Sequence, residues 1–561
     1  MFSFILDRKV GEMMIFKDIA VVISTLLFVM GSFFTVAKQP LALTNVYLPD
    51  YSYAGYEFGE QQPNIEKWQV IDVNQHGLIP NDGLDDTQAL QTLLKTLSTK
   101  TTPVVLQFSQ GQYEISDIIR ISRSNIVFRG AGKSATEFYF PRPLIYATTP
   151  KELDELAEYL VSLNKVQKEK LKNIHLPFTL WAWSGGFFWT GVEGERVKSY
   201  LESYNQNIPA LAKLTAGKKD NFSFQVDNAE QLAVGQVVQI NWFNPEGEKG
   251  SFLQQLYGES EVEIGSHHWN YPKLALSRQQ VLITKISKNQ VTIKTPLLHD
   301  VNSQWNVSIS QWQHIKQVGF EHFTMRFPEH QQIAHHVEPG YNGIYLTRTF
   351  NGWVKDVVID NADSAILTES IANVTIDRVK TSGTSLAHYT VQLGGVHNVL
   401  VKDLIVENPA IHPLSFNTFA NKSVYLNAQV KQQPLLDQHS GANHHNLFDH
   451  TQVQVTLTDD SKKYSYPLFA GGGARYWQPQ HGSYTTFWNT QINFTNGVLS
   501  KEPILLNGMK KGPNARVVGV SANLPIRVEY GPDAYIEGVG DYYEDIPSLY
   551  RYQLNKRLNQ K

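Results

Sequence analysis

Cysteine is absent from the 561 residues. That excludes a disulfide frame and the lipid-attachment cysteine of a lipoprotein. Neither sign of charge dominates, with 49 basic residues facing 52 acidic ones for a formal net charge of −3. A nucleic-acid binder carries a basic surplus, so no nucleic-acid partner is expected. What the chain does have is aromatic side chains, at 12% with 11 Trp and 26 Tyr. Flat rings suit stacking on sugar faces as well as core packing.

One long apolar stretch stands near the start, Ile19–Ala37 (IAVVISTLLFVMGSFFTVA). It is uncharged and about long enough to span a bilayer. Lys17 precedes it, and Thr35-Val36-Ala37 supplies small residues at signal-peptidase spacing. Residues 1–37 therefore read as a signal peptide, with Met13 or Met14 the more natural start. The alternative is an uncleaved N-terminal anchor. The expected location is exported, periplasmic or extracellular, with no stable membrane association after cleavage.

Residues 38–64 read as a linker or N-terminal extension. WQVIDVNQHGLIPNDGLDDTQALQTLLKTL then reads as a strand, a Gly/Asp-rich turn and a helix begun by Asp85-Asp86-Thr87. A strand followed by HG…NDG…DDT.AL and a helix resembles the opening module of the pectate-lyase-like superfamily. The resemblance implies an all-β right-handed parallel β-helix whose amphipathic helix plugs the N-terminal end. It implies little about chemistry.

Cap and first coils are assigned to 65–148. A helical and aromatic-rich insertion follows at 149–221, where ELDELAEYLVSLNKVQKEKL has helical spacing and LWAWSGGFFWTG holds Trp183. That cluster is either a packed foot for the insertion or a wall of a sugar-binding cleft. A small antiparallel β-subdomain is assigned to 222–302, the main coils to 303–525 and a C-terminal cap to 526–561. The cap, a short helix, is expected to cover the far end of the stack, where an open coil would expose unpaired edges.

Two strands can be followed from turn to turn. Ile344, Ile366, Val391 and Phe416 head the first, in steps of 22, 25 and 25 residues. Val354, Ile376, Val401 and Leu426 keep the same steps in the second, always 10 residues later. Two registers held in step are the signature of one coil per turn. Leu447 and Leu457 extend the pair after a longer turn. The alignment stacks Tyr341, Asp363, His388, Pro413 and His444 in one column, with Asn342, Ser364, Tyr389, Leu414 and His445 in the next. A third column holds Ala362, Ala387 and His412. Coils lie about 4.8 Å apart, close enough for stacked Asp363 and His388 to touch. Lys355, Asp377 and Lys402 stack with alternating sign, as a solvated ion-pair face does.

The resemblance brings two chemistries to compare. β-Helical polygalacturonases use aspartates from an NTD turn and a DD pair, with a GHG histidine. Here the strand starts read YNG, ADSA and AHYT, and only Asp363 remains of those carboxylates. A hydrolase built on Asp363 needs a second carboxylate, for which Asp360, Glu369, Glu407 and Asp437 are the candidates. Calcium-dependent pectate lyases are matched neither in their WIDH segment nor in their arginine motif. No cofactor is assigned, and Ca2+ stays open. HHNLFDH holds His444, His445, Asp449 and His450, but β alternation sends His444 and His445 to opposite sides, so no metal site is assigned there.

What fits is β-elimination on an acidic polysaccharide. It needs a base for the proton α to a uronate carboxyl, a neutraliser of that carboxyl and an acid for the leaving oxygen. The expected catalytic group is Asp363, His388, Tyr389, His412 and His444, with Asp363 orienting His388 as base or acid. The expected substrate contacts are Arg348, Lys355, His439, Arg475, Trp477 and Trp183. The alternatives are the hydrolase and a non-catalytic glycan-binding β-helix. A monomer acting on polysaccharide is expected.

Overall fold

The computed structural model describes residues 39–169, 178–198, 209–244, 251–258, 274–457, 464–473, 480–496, 502–508 and 512–560. The expected signal peptide lies outside them. Among the described residues no helix is long and apolar enough to cross a membrane.

Short strands pair in parallel from coil to coil to make a right-handed parallel β-helix. One wall is an 18-stranded sheet that begins at Gln69–Asp72 and ends at Tyr535–Val539. A second wall has seven strands, from Ile119–Ile121 and Phe188–Thr190 through Asn342–Thr347, Ser364–Glu369, Ala387–Leu393 and Ala410–Phe416 to Leu436–Gln438. Valine, isoleucine and phenylalanine fill the space between the walls, with Val354, Ile366, Val391, Leu414 and Phe448 all buried. The helix Thr87–Ser98 plugs the first coils with Leu90, Leu93, Leu94 and Leu97, as expected.

The register follows the sequence at first and then departs from it. Ile344 pairs with Ile366 and Ile366 with Val391, and Val354, Ile376 and Val401 pair likewise. The next partners are Leu414 and Tyr425, not Phe416 and Leu426. Leu447 pairs with Val424 in the long sheet, and Leu436–Gln438 supplies that coil's strand in the second wall. The cause lies at the corners, where each coil turns through left-handed residues, one of them at the corner before the long sheet. Asn351, Asn373 and Asn398 do this at φ of 52°, 52° and 55°, a conformation asparagine tolerates. The next corners are Lys422 and His445, which nothing in the sequence marks as turns.

The β-subdomain is larger than expected. Ala210–Gly217 and Ser308–Gln311 join Ser223–Val226, Val237–Trp242, Ser277–Ser287 and Gln290–Ile293 in a closed antiparallel barrel. Its core includes Trp242, Phe252 and Trp305.

The two ends of the described chain also differ from expectation. Residues 39–60 form a strap on the outer face of the coils, not a loose linker. Gly55 N–H donates to Asn398 O, and Tyr56 N–H to Thr375 Oγ1 at 2.8 Å. The helix Leu549–Asn559 does not close the far end. It lies over the outward face of the long sheet, where Leu549 and Tyr550 pack with Leu426, Leu447, Trp488 and Val518. Asp449 points outward there and accepts from Ser548 Oγ and from the Leu549 and Tyr550 N–H groups. Strands Ile526–Val528 and Tyr535–Val539, assigned to the cap, belong to coils.

Candidate functional site

The second wall presents the N-terminal ends of its strands to a segment, residues 328–340, that crosses them. Pro328 and Pro339 bracket this segment, and Gly340 closes it at φ 94° where a Cβ would meet the Trp181 ring at 2.8 Å. The segment carries His330, His335, His336 and Glu338. None of these was marked by the repeat, because they lie before the first strand that keeps it.

Asp363 anchors the segment. Its Oδ2 accepts from Gly340 N–H and Tyr341 N–H at 2.9 and 2.8 Å, and its Oδ1 lies 2.8 Å from His330 Nε2. His330 Nδ1 faces the Pro328 carbonyl at 3.0 Å. Both ring nitrogens therefore meet acceptors, which makes His330 an imidazolium. Burial lowers its pKa, but the Asp363 carboxylate outweighs burial and holds it above the usual value.

His388 is fully buried and is not oriented by the Asp363 side chain, as the sequence reading had it. Its Nδ1 lies 3.4 Å from Glu338 Oε1 and its Nε2 lies 3.1 Å from His335 Nε2. Glu338 is itself wholly buried; its Oε1 accepts from Gln332 Nε2 and His336 N–H, while Oε2 has no hydrogen-bond partner. Burial pushes its carboxyl up to about 7. Burial also lowers His335 and holds His388 well below the ordinary histidine range, with the neighbouring rings adding to both. Both imidazoles are neutral at neutral pH.

The proton positions follow from the acceptors. His388 Nδ1 makes no hydrogen bond, but an ionised Glu338 carboxylate 3.4 Å away favours the proton on that nitrogen by charge, which leaves Nε2 as the acceptor. His335 must then donate from Nε2, which leaves the lone pair on its Nδ1, in an exposed residue whose ring packs against that of His336 at 3.8 Å.

A second group adjoins the first, with the His412 ring 5.6 Å from His388 and 6.1 Å from His335. Asp437 Oδ2 lies 3.1 Å from His412 Nδ1 and 3.1 Å from His439 Nδ1. It also accepts from Ser415 Oγ at 2.8 Å, and Oδ1 takes the Gly472 N–H at 2.8 Å. Burial would raise the Asp437 carboxyl, but the two imidazoles hold it far below the carboxylate range. Among the described residues two sets of three could hold a metal ion: His335 with His336 and His388, and His412 with Asp437 and His439.

Of the other expected residues Tyr389 stays with the cluster and most of the rest separate. The Tyr389 ring stacks on His388 at 4.2 Å and on His412 at 5.1 Å, while its hydroxyl accepts from Asn417 Nδ2 at 3.3 Å among the core side chains. His412 pairs across the coils with Tyr389, not below Ala387. His444 leaves the site altogether: it bridges to Asn421 on a corner column and faces Ser277 of the barrel at 3.2 Å. The left-handed turn at His445 brings the Nδ1 atoms of His444 and His445 to 2.9 Å instead of sending them to opposite sides. Arg348 is a corner residue paired with Glu195 at 3.1 Å. Lys355 stays in its outward ladder on the long sheet, where Lys402 reaches Asp377 at 3.4 Å. Trp183 borders the cluster, its ring 4.7 Å from His336. Arg475 and Trp477 lie outside the described residues.

No protein-family model matches the chain, and no curated protein sequence does. Solved structures resemble it at low identity. The tailspike protein gp49 from Pseudomonas phage LKA1 is 10% identical over 84% of this chain and 83% of its own, with a TM-score of 0.41. DFA-IIIase from Arthrobacter chlorophenolicus A6 is 10% identical over 84% and 94%, TM-score 0.38. The surface adhesin PfbA of Streptococcus pneumoniae is 9% identical over 85% and 91%, TM-score 0.38.

Proposed function

We propose that the chain is an exported, monomeric polysaccharide-active enzyme that cleaves an acidic glycan by β-elimination, with His335 as the base. The observation that carries this reading is the line Glu338–His388–His335. It ends in an unprotonated imidazole nitrogen of an exposed residue, backed by a buried carboxylate that stabilises the imidazolium once formed. His335 Nδ1 takes the proton α to a uronate carboxyl. The electron pair left behind forms the α–β double bond as the β-carbon–oxygen bond breaks. The same imidazolium returns the proton to the departing oxygen, so no proton is gained or lost overall.

The hydrolase alternative is less well supported. Asp363 is buried, and three of its roughly four acceptor sites are taken by His330 and by backbone N–H groups, which ties it to holding the crossing segment and not to a sugar or a water. A panel of uronate-containing polysaccharides tests the proposal, following ultraviolet absorbance of the unsaturated product beside the release of reducing ends. Both signals together are the expected result. Reducing ends without the absorbance would sink elimination, and neither signal on any glycan would favour a binding module. Export is tested by N-terminal sequencing of the mature protein.

A further inference from the structure

The geometry points to a transition-metal site at His412, Asp437 and His439. Two imidazole nitrogens and one carboxylate oxygen of these residues lie within 4.8 Å of one another, on consecutive coils and almost wholly out of solvent.

The first argument is one of direction. His412 Nδ1 sits 3.1 Å from Asp437 Oδ2, yet neither His412 ring nitrogen has a hydrogen-bond partner although the residue is only 5% exposed. A buried imidazole with both nitrogens unsatisfied is costly. The distance is that of a hydrogen bond while the orientation is not. Ligand atoms around one ion show this combination, because their lone pairs converge on a third point. With bonds of about 2.0–2.1 Å, neighbouring ligand atoms stand about 3.0–3.4 Å apart, which includes the 3.1 Å between His412 and Asp437; the 3.1 Å contact of His439 Nδ1 with Asp437 is a hydrogen bond whose proton the ion would displace.

The second argument is the surround. Asp437 is fixed through both oxygens, by Ser415 Oγ and by Gly472 N–H, as partners that orient a ligating carboxylate are. Gly472 also makes room for the rings: a Cβ there would stand 2.6 Å from His439 Cε1 and 2.8 Å from His412 Cε1. A backbone that approaches two imidazoles so closely holds them in one arrangement.

The donor set selects the ion. Imidazole nitrogen with a single carboxylate suits zinc and its first-row neighbours, whereas calcium takes six or more oxygens. The inference is therefore Zn2+ or Co2+, not Ca2+. It stands whether or not elimination is the reaction.

The test is direct binding to the whole protein. After chelation and dialysis, Zn2+ is titrated calorimetrically, bound metal is measured by elemental analysis, and Co2+ serves as a visible-absorption probe. Expected are roughly one equivalent of Zn2+, a zinc-dependent rise in Tm and cobalt bands of a nitrogen/oxygen site, with Ca2+ giving none of these. His439→Gln and Gly472→Ala should each weaken zinc binding by about 10- to 100-fold or more, while His335→Ala leaves it unchanged. No zinc retained by the wild-type chain would overturn the inference. So would full affinity in a folded His439→Gln chain. Loss of zinc in His335→Ala would place the ion in the neighbouring histidine set and overturn it equally.

Discussion

His335 Nε2 lies 3.1 Å from His388 Nε2, and only one of these two nitrogens can carry the shared proton. The buried Glu338 carboxylate decides which. Lying 3.4 Å from His388 Nδ1 without a hydrogen bond to it, the carboxylate favours the proton on that nitrogen by charge and so makes His388 the acceptor toward His335. A buried histidine with no solvent contact thus sets the protonation of an exposed one, and the experiments follow from that division of labour.

Replacing His335 by Ala should lower kcat/KM by roughly 10²–10⁴, the usual contribution of a positioned general base. Tm should hardly change, since the residue is exposed. His388→Ala should cost activity and stability together, because it empties a fully buried position. Steady-state kinetics beside thermal unfolding separates the two. Full activity in His335→Ala discards the base assignment.

The pH profile should show an acid limb near 7, where the Glu338 carboxyl titrates. The groups facing it are His388, the His336 N–H, Gln332 and, by charge alone, Asp363. Below that value Glu338 is protonated and no longer requires the His388 Nδ1 proton, so activity falls. Stability carries the opposite sign. A folded pKa raised above the unfolded one means that the folded state holds the extra proton between about 4.5 and 7. The contribution of Glu338 therefore becomes progressively destabilising as pH rises through that window. Glu338→Gln should flatten both dependences. An acid limb that survives unchanged in Glu338→Gln belongs to another group.

Asp363→Ala should destabilise the protein by about 3–5 kcal/mol, because it leaves a charged His330 and two backbone N–H groups without their acceptor. Limited proteolysis should cut within 328–340 in the variant and not in the wild type. An Asp363→Ala chain that is stable and uncut contradicts the anchoring role.

Asp449→Ala removes three hydrogen bonds to the start of the C-terminal helix. By the scale of N-terminal caps the cost should be about 1–2 kcal/mol. Hydrogen exchange should speed up across Leu549–Asn559 while the strands of the long sheet keep their protection. Unchanged exchange in the helix would show that its packing alone holds it.

The β-helix was legible because its corners are chemically marked. Asn351, Asn373 and Asn398 repeat in step with the apolar strands, and both registers could be read between Ile344 and Val401. Past that point Lys422 and His445 occupy the same corner without an asparagine, and the alignment slipped by one or two residues. That slip carried His444 into the wrong column. His388, His412 and His439 were found because they sit on or beside the repeating strands. The segment with His335 and Glu338 repeats nothing, so only its density of histidines, HQQIAHH, could have drawn notice. The barrel was underestimated because ALAKLTAG, the strand that closes it, is weakly apolar.

The strap and the C-terminal helix are laced together: Tyr550 Oη donates to Ala54 O, and Arg557 binds Ser52, Phe58 O and Glu60. A solenoid of stacked coils would otherwise fray turn by turn from either end. Here the strap reaches Asn373 and Asn398 in the middle of the stack, so peeling the last coil disturbs a lashing that crosses several others. The Tyr550–Ala54 contact joins positions some 500 residues apart in the chain. Strap and helix together thus cover the outer face of Leu426, Leu447 and Trp488.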